Sequence, residues 1–586
     1  MSNQDNIINN REIELALSFI NKTNQHVFLT GKAGTGKTSF LNDLRRKSAK
    51  KMAVVAPTGI AAINANGETI HSFFSLPITV FNPGDTTKQI PLNAAKRNLL
   101  QNLELLVIDE VSMLRADTLD LIDYVLRKVR KNVLEPFGGL QVLYIGDLYQ
   151  LSPIASDAEL KQLNKFYKGL FFNYSNVCKE APPIVIELQI VYRQNDKSFI
   201  SLLNSIRTGS CSPGQIDELN KRQVSGAMYS ERSIVLSTHN NLVNTINSSA
   251  LDKLSSDEWV FEAEIAGIFD EHSFPTEKMM KLKVEAQIMI LRNDKDKNKR
   301  YFNGKIGRIK KIENGKIFIV DTEGYLLEIE KEVWQNISYE FDANTGKVVE
   351  VVKGSFTQFP IRLAWAITIH KSQGLTFDNV VVDLENVFAP GQAYVALSRV
   401  RSKEGLMLNS PVTAELLNQK RTISNESLKM LSNVELSNHL TKEEIHFLLQ
   451  TLQKYFKWDA VLDFLNENKS PLLNLYLISQ VSTAIAELNE FAEKFNKEIN
   501  SYSIEGNERN FEKLEGRIIA ARNYFAKYID EKLLPALTEE YLKTKESVLQ
   551  KLKFKFAKNL ITALNKKKKD FAMAQEMIEG FVRPKR

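Results

Sequence analysis

Cysteine occurs only twice in the 586 residues, at Cys178 and Cys211. Two thiols cannot build a disulfide framework or a four-ligand zinc site, so a reducing cytoplasm, or a nucleus, is the expected setting. Glycine (26) and proline (16) are sparse, which excludes a collagen-like chain or long flexible linkers. No stretch approaches the roughly 18 consecutive apolar residues of a membrane span. The polar start Met1-Ser2-Asn3-Gln4-Asp5-Asn6 lacks a charged-then-apolar leader, so no membrane partner is expected. Charge of one sign is scarce too. The net charge of +7 permits a polyanionic partner without requiring one.

What is present reads as globular, with 43% hydrophobic and 25% charged residues. The length implies several domains. Short apolar runs alternate with helical patterns up to about residue 190: Val27-Phe28-Leu29, Ala53-Val54-Val55, Leu105-Leu106-Val107-Ile108 and Val142-Leu143-Tyr144-Ile145. Near-continuous apolar strands between helices predict a parallel sheet covered on both faces. The pattern resumes at Ile234-Val235-Leu236 and Val380-Val381-Val382, predicting a second α/β domain with an insertion. The insertion, 290–355, holds β-rich pieces (Gly307–Ile312, Lys316–Val320, Tyr325–Ile329, Lys347–Val352) and hairpin signals at Asn314-Gly315 and Asn344-Thr345-Gly346, which suggest a small β-barrel. The expected division is therefore 1–185, 186–289, 290–355, 356–428 and a helical 429–586. Thr441-Lys442-Glu443-Glu444 reads as a capping box opening a helix. The run Lys566–Lys569 reads as a solvated helix face or a nucleic-acid contact.

Gly31-Lys32-Ala33-Gly34-Thr35-Gly36-Lys37-Thr38 fits G-x-x-x-x-G-K-[ST] in full. Its glycines let backbone N–H groups wrap phosphate oxygens, and the following helix points its positive end at them. Lys37 would reach the β- and γ-phosphates and Thr38 would ligate Mg²⁺. The strand ending in Asp109-Glu110 places two carboxylates where a doubly wound sheet holds ligands. Asp109 would hold Mg²⁺, and Glu110 would orient and deprotonate the attacking water.

Further elements narrow the class. They are Ala56-Pro57-Thr58-Gly59-Ile60-Ala61-Ala62, Glu68-Thr69-Ile70-His71-Ser72-Phe73-Phe74, Gly146-Asp147-Leu148-Tyr149-Gln150-Leu151-Ser152-Pro153 and Val191-Tyr192-Arg193-Gln194. Ala366 to Phe377 (with Ile369-His370-Lys371-Ser372-Gln373-Gly374) and Tyr394-Val395-Ala396-Leu397-Ser398-Arg399-Val400 complete the set. In this order they resemble superfamily-one B DNA helicases. With Asp109-Glu110-Val111-Ser112-Met113-Leu114 the likeness is to the PIF1-like (petite integration frequency) family, whose relatives are RecD-like. It covers about 25–425 and leaves the helical C-terminal region out.

The resemblance implies tandem RecA-like P-loop NTPase domains with ATP in the cleft between them, an SH3-like insert in the second, and 5′ to 3′ translocation on single-stranded DNA. It implies that Arg193 and Arg399 reach the γ-phosphate across the cleft. It also implies that Gln150 senses the γ-phosphate, and that Gln373 and Gly374 sit at the nucleotide and couple it to DNA grip. A turn glycine remains the other reading of Gly374. Single-stranded DNA and DNA forks are the implied partners, with quadruplex DNA and roles in repair, recombination and telomere maintenance as family expectations. By motif position Thr58, Gly59, His71 and Ser72 on the first domain, and Thr368, His370 and Ser372 on the second, are the DNA contacts. Phe73, with Phe74 and Phe377, is a stacking candidate or a core residue. The excursion Leu76–Pro91 is a wedge or a surface loop, and Lys295–Arg300 faces DNA or solvent. One departure concerns adenine: the family's Leu-Ser-x-Glu-Gln element is replaced by Asn9-Asn10-Arg11-Glu12, leaving Gln4 or Asn10 as substitutes. Two other readings compete. One is a DNA-stimulated ATPase that translocates or remodels without separating strands; the other, a P-loop signalling switch, is disfavoured by the two arginine motifs. RNA is not distinguished from DNA by phosphate-led contacts.

Overall fold

In the computed structural model the described residues are 10–85, 91–194, 196–224, 233–294, 300–385, 387, 391–418, 428–467, 475–502, 508–542 and 548–583. The apolar runs of the N-terminal part become strands β1 (Val27–Gly31), β2 (Met52–Ala56), β3 (Glu68–Thr69), β4 (Leu105–Ile108), β5 (Gln141–Ile145) and β6 (Ile184–Leu188). They form one parallel sheet in the order β3-β2-β4-β5-β1-β6. Every residue of β1, β4 and β5 is buried, as expected for strands with helices on both faces. Their carboxyl ends carry the phosphate loop, Asp109-Glu110 and Gly146-Asp147 on one edge of the sheet.

Helix Ala116–Val129 is tied to the segment between β5 and β6 by a buried carboxylate. Asp120 accepts from Tyr167 Oη (2.9 Å), Asn176 N (3.1 Å), Asn176 Nδ2 (2.9 Å) and Val177 N (3.0 Å). Removing it strands four donors in a dry site, which costs far more than the net worth of a single bond. Asp120→Ala is expected to lower unfolding stability in urea by about 3 kcal/mol. A loss below about 1 kcal/mol would mean that water replaces the carboxylate without penalty.

The second sheet opens with β7 (Ile234–Ser237) and is then interrupted. The interruption holds β8 (Trp259–Glu262), β9 (Glu264–Gly267), β10 (Met279–Leu282), β11 (Gln287–Ile290), β12 (Ile306–Glu313), β13 (Lys316–Asp321), β14 (Leu326–Ile329), β15 (Glu332–Asp342), β16 (Lys347–Gln358) and β17 (Ile361–Leu363). It is wider than the expected 290–355, because β8–β11 are short and carry no hairpin signal of their own, yet β8 pairs with β10 while β9 and β11 pair with later strands. The order β14-β13-β12-β11-β17 makes a five-stranded antiparallel sheet, and the long hairpin β15–β16 pairs with β9. The chain then returns as β18 (Ala366–Thr368), β19 (Val380–Val382) and β20 (Leu406–Leu408), giving the parallel order β18-β7-β19-β20. Asn247, on the helix after β7, pins the return. Its side chain donates to Ala366 O and accepts from Ala366 N, 119 residues along the chain, at 2.9 Å each. The hairpin β15–β16 also rests on the first domain. Ile337 and Tyr339 join that domain's core, and Glu350 pairs with Arg45 at 2.7 Å.

Residues 434–586 form a separate compact unit, helical throughout its described residues. Its core stacks Phe456, Phe525 and Phe571 beside Trp458. Two sequence readings are corrected here. Thr441 is not a helix start but lies inside helix Asn433–Phe456, where its hydroxyl bonds back to Ser437 O at 3.2 Å. The pattern misleads because a hydroxyl four residues past a carbonyl can bond backward as readily as it can cap. The lysine run is not a uniform solvated face either. Lys567 is buried and donates to Tyr455 O (2.6 Å) and Lys457 O (2.7 Å), satisfying carbonyls left free at a helix end. Pro535 lacks an amide hydrogen, and the helix accommodates it by widening into a π-turn at Ile529–Leu533. Among the described residues no helix is long and apolar enough to cross a membrane.

Candidate functional site

The phosphate loop joins β1 to helix Lys37–Lys47. Gly34 and Gly36 have φ of +81° and +89°, a left-handed region closed to most side chains. At Gly34 space forbids one as well, since a Cβ would lie 2.5 Å from Arg193 Cβ. Lys37 folds its ammonium onto its own loop, with Nζ to Gly31 O (2.6 Å) and to Lys32 O (3.1 Å). Burial lowers its pKa, against the pull of Asp147 and Glu110. Thr35 is buried and bonds Lys32 O, whereas Thr38 is exposed at the helix start. Ala33 N donates to Tyr394 Oη at 3.1 Å, so the second domain touches the loop directly.

Asp109 and Glu110 follow β4. The Glu110 backbone is left-handed, φ +49°, a strained conformation for a non-glycine residue of the kind found at functional sites. Burial pushes both carboxyls up, and for Glu110 the neighbouring Asp109 adds to it. Glu110 N donates to Asp109 Oδ1 (2.9 Å), and Glu110 Oε2 accepts from Gln373 Nε2 (2.8 Å) across the cleft. Among the described residues no cluster of three His, Cys, Asp or Glu could cage a metal. An oxygen pair of this kind suits a hard cation that keeps its remaining ligands from water and phosphate.

Two arginines line the same cleft. Arg193 donates to Ser398 O (3.2 Å) and Gly374 O (3.3 Å). Arg399, 1% exposed, donates to Val395 O (2.7 Å) and Ser398 Oγ (2.9 Å). Neither has a carboxylate partner among the described residues. Burial lowers the pKa of each, and for Arg193 the proximity of Arg399 lowers it further. A half-buried and a buried cation whose hydrogen bonds, among the described residues, go to neutral oxygens are a costly arrangement that an anion would relieve. Gly374 has φ +81° with open space where a Cβ would stand, so its turn geometry is what requires glycine. Gln150 is buried and donates to Asp147 Oδ2 at 3.4 Å.

The expected DNA contacts divide. Thr58 caps helix Gly59–Asn64, and Gly59 lies under the turn Glu271–Ser273, a Cβ there falling 2.4 Å from Ser273 Oγ. Ser72 is exposed, with its hydroxyl on Glu68 Oε1 (2.7 Å). His71 and His370 are half-buried, and burial lowers the pKa of each. Thr368 is almost buried and accepts from Lys371 N (3.4 Å). Three of the expected contacts, Phe73, Phe377 and Ser372, are buried. Phe73 is fully buried in the first core, edge-to-face with Phe74, because its helical spacing turns it toward β2 and β4. Phe377 is core as well. Ser372 is fully buried and spends its hydroxyl on Ile369 O (2.7 Å), closing the turn after β18. In the excursion Leu76–Pro91, Leu76 and Phe81 anchor in the core while Ile78 is 90% exposed; residues 86–90 lie outside the described residues. So do Lys295 to Lys299 and Gln4. Asn10 caps helix Arg11–Lys22 by accepting from Glu12 N, which occupies its oxygen.

Sequence reasoning missed Tyr394, Asp147 and Arg207. Tyr394 and Asp147 stood inside quoted motifs without a role. Arg207 lies on an ordinary amphipathic helix, Lys197–Thr208, and carried no signal. Its Nη2 reaches Asp147 Oδ1 at 3.0 Å.

A family profile described as PIF1-like helicase matches residues 2–216. A helicase profile matches 263–437, and one described as DNA helicase, middle domain, matches 439–583. The crystal structure of Bacteroides sp Pif1 in complex with ADP-AlF4 is 40% identical, with TM-score 0.66, covering 69% of this chain and 93% of that one. Bacteroides Pif1 bound to ssDNA is 38% identical, with TM-score 0.50, covering 73% and 95%. The human ATP-dependent DNA helicase PIF1 is 34% identical over 401 residues, 65% of this chain. The chain spans 58% of that protein's length.

Proposed function

Because the chain belongs to the PIF1-like helicase family, we propose that it is an ATP-dependent DNA helicase that moves 5′ to 3′ along single-stranded DNA and separates strands at forks. The observation that carries this reading is the cleft itself. A phosphate loop with a carbonyl-bound lysine, an acid pair and two arginines that have no carboxylate partner among the described residues meet there from both domains. Such a site suits a polyanion. The triphosphate would take the loop N–H groups and Lys37, while Arg193 and Arg399 would meet the γ-phosphate from the other side. Mg²⁺ fits the oxygen donors Thr38 and Asp109, and when bound it would offset phosphate charge. Glu110 would take the proton of the attacking water. Since the arginines belong to the second domain, hydrolysis would depend on cleft closure, and closure would drive stepping.

The strand would run over Thr58, Gly59, His71 and Ser72 and on to His370, through contacts that read phosphate rather than sequence. The five-stranded insert sheet is read as SH3-like, closing over the strand, and the wedge is assigned to the excursion around Ile78. Quadruplex DNA belongs to the same set of structured substrates.

Unwinding of a short duplex with a 5′ or a 3′ single-stranded tail tests the reading, with Lys37→Ala as the inactive control. Opening of the 5′-tailed duplex alone, lost in Lys37→Ala, is the expected result. DNA-stimulated hydrolysis with neither duplex opened would make the chain a translocase without a wedge. No stimulation by DNA would sink the motor reading.

A further inference from the structure

We propose that Arg207 is a positioning residue for hydrolysis: from the second domain it holds Asp147, and through Asp147 it fixes which end of the Gln150 amide is left for the attacking water. This rests on the helicase reading above and names a part of its machinery that lies outside the phosphate loop and the two cleft arginines.

Arg207 sits in the last turn of helix Lys197–Thr208, which Phe199, Leu202, Leu203 and Ile206 anchor in the second-domain core. Its guanidinium leaves that domain and meets three residues of the first. It bonds Asp147 through Nη2 at 3.0 Å and through Nε at 3.3 Å. It approaches Glu187 at the end of β6, with Nη2 to Oε1 at 3.5 Å. It lies over the Tyr149 ring, 4.3 Å from the centroid. The Arg207 side chain is 9% exposed and that of Asp147 is not exposed at all. A buried ion pair is a weak stabiliser, because desolvation offsets the attraction. Its lasting effect is geometric, since a planar fork fixes a carboxylate in two directions at once.

The carboxylate so held sets its neighbours. Asp147 accepts from Tyr149 N (3.1 Å) and from Gln150 Nε2 (3.4 Å). An ionised carboxylate only accepts, so the Gln150 amide must present its nitrogen to Asp147. Its carbonyl oxygen is then the end left for a water. The same cluster stands beside Lys37, whose charge Asp147 favours and Arg207 opposes. The order of contacts therefore runs from the second domain through Arg207 and Asp147 to Gln150. It is complete only while the two domains are apposed.

The test uses the full chain and steady-state ATP hydrolysis at saturating oligothymidylate. Arg207→Gln is expected to lower kcat ten-fold or more, with KM for ATP within about three-fold of wild type. Gln150→Ala is expected to lower kcat similarly, and the double variant should be no worse than the worse single one, as for residues acting through one chain of contacts. Arg207→Lys, which keeps the charge but not the fork, should recover part of the rate. Where Arg207→Gln fails to fold, Asp147→Asn carries the same test, because it frees the Gln150 amide to turn over. Multiplying losses, an unchanged kcat, or a rise in KM alone overturns the proposal. A wild-type chain with no DNA-stimulated hydrolysis overturns the helicase reading and this one with it. A normal wild type with multiplying losses overturns this one alone.

Discussion

Glu110→Gln is expected to bind nucleotide almost as wild type does and to hydrolyse it about 10²–10⁴-fold more slowly. The side chain stands at a strand end on a left-handed backbone, its oxygen already engaged by Gln373. An amide keeps that contact and the shape of the site but cannot accept a proton. Single-turnover hydrolysis beside a nucleotide-binding titration checks this, and a variant within ten-fold of wild type would remove Glu110 as the base. A pH signature accompanies it. The folded-state carboxyl titrates above its ordinary value because of burial and the neighbouring Asp109. Nucleotide-free wild type therefore gives up stability as pH rises from the ordinary carboxyl range through the raised value, where an anion must be kept buried. Glutamine carries no such cost. The melting temperature of the variant should exceed that of wild type at pH 8, with the gap closing toward pH 5. An equal gap at both pH values contradicts the burial argument.

Arg399→Ala is expected to lower the hydrolysis rate by about 10³ or more, the scale of a trans-acting arginine in phosphoryl transfer. Nucleotide-free stability should hold or improve. The two effects part because Arg399 is a buried cation whose guanidinium, among the described residues, donates to the neutral Val395 O and Ser398 Oγ. Its removal relieves a desolvation cost in the empty cleft and deletes a donor from the filled one. Arg399→Lys should not restore the rate, since an ammonium cannot keep both neighbours and also present a paired donor face. Thermal melting and single-turnover hydrolysis of the two variants decide it. A variant that loses its fold, or hydrolyses within ten-fold of wild type, would make Arg399 a structural residue.

What was legible in the chain was what local pattern and spacing encode. Both parallel sheets follow from apolar runs, and the phosphate loop, Asp109-Glu110, Arg193 and Arg399 meet in one cleft. Local pattern failed where tertiary packing assigns the role. Phe73 and Ser372 stand in motif segments, yet one fills the first core and the other closes a turn. Thr441 matched a cap because the same hydroxyl serves either end of a turn. Arg207 was invisible because nothing on its own helix distinguishes it from a surface arginine. Only the apposition of two sheets brings it to Asp147, 60 residues away in the chain.

The interrupted second sheet has a consequence during synthesis. β7 leaves the ribosome long before its partners β18 and β19, and Asn247 must wait 119 residues for Ala366. At about 5–20 residues per second, Ile234, Val235 and Leu236 spend on the order of ten seconds without a neighbouring strand. The first sheet, by contrast, is complete at Leu188. The nascent protein thus has all six strands of its first sheet while the second sheet is still the single strand β7. In that interval the phosphate loop is already made, while Arg399, which the proposed reading places across the cleft from it, is not.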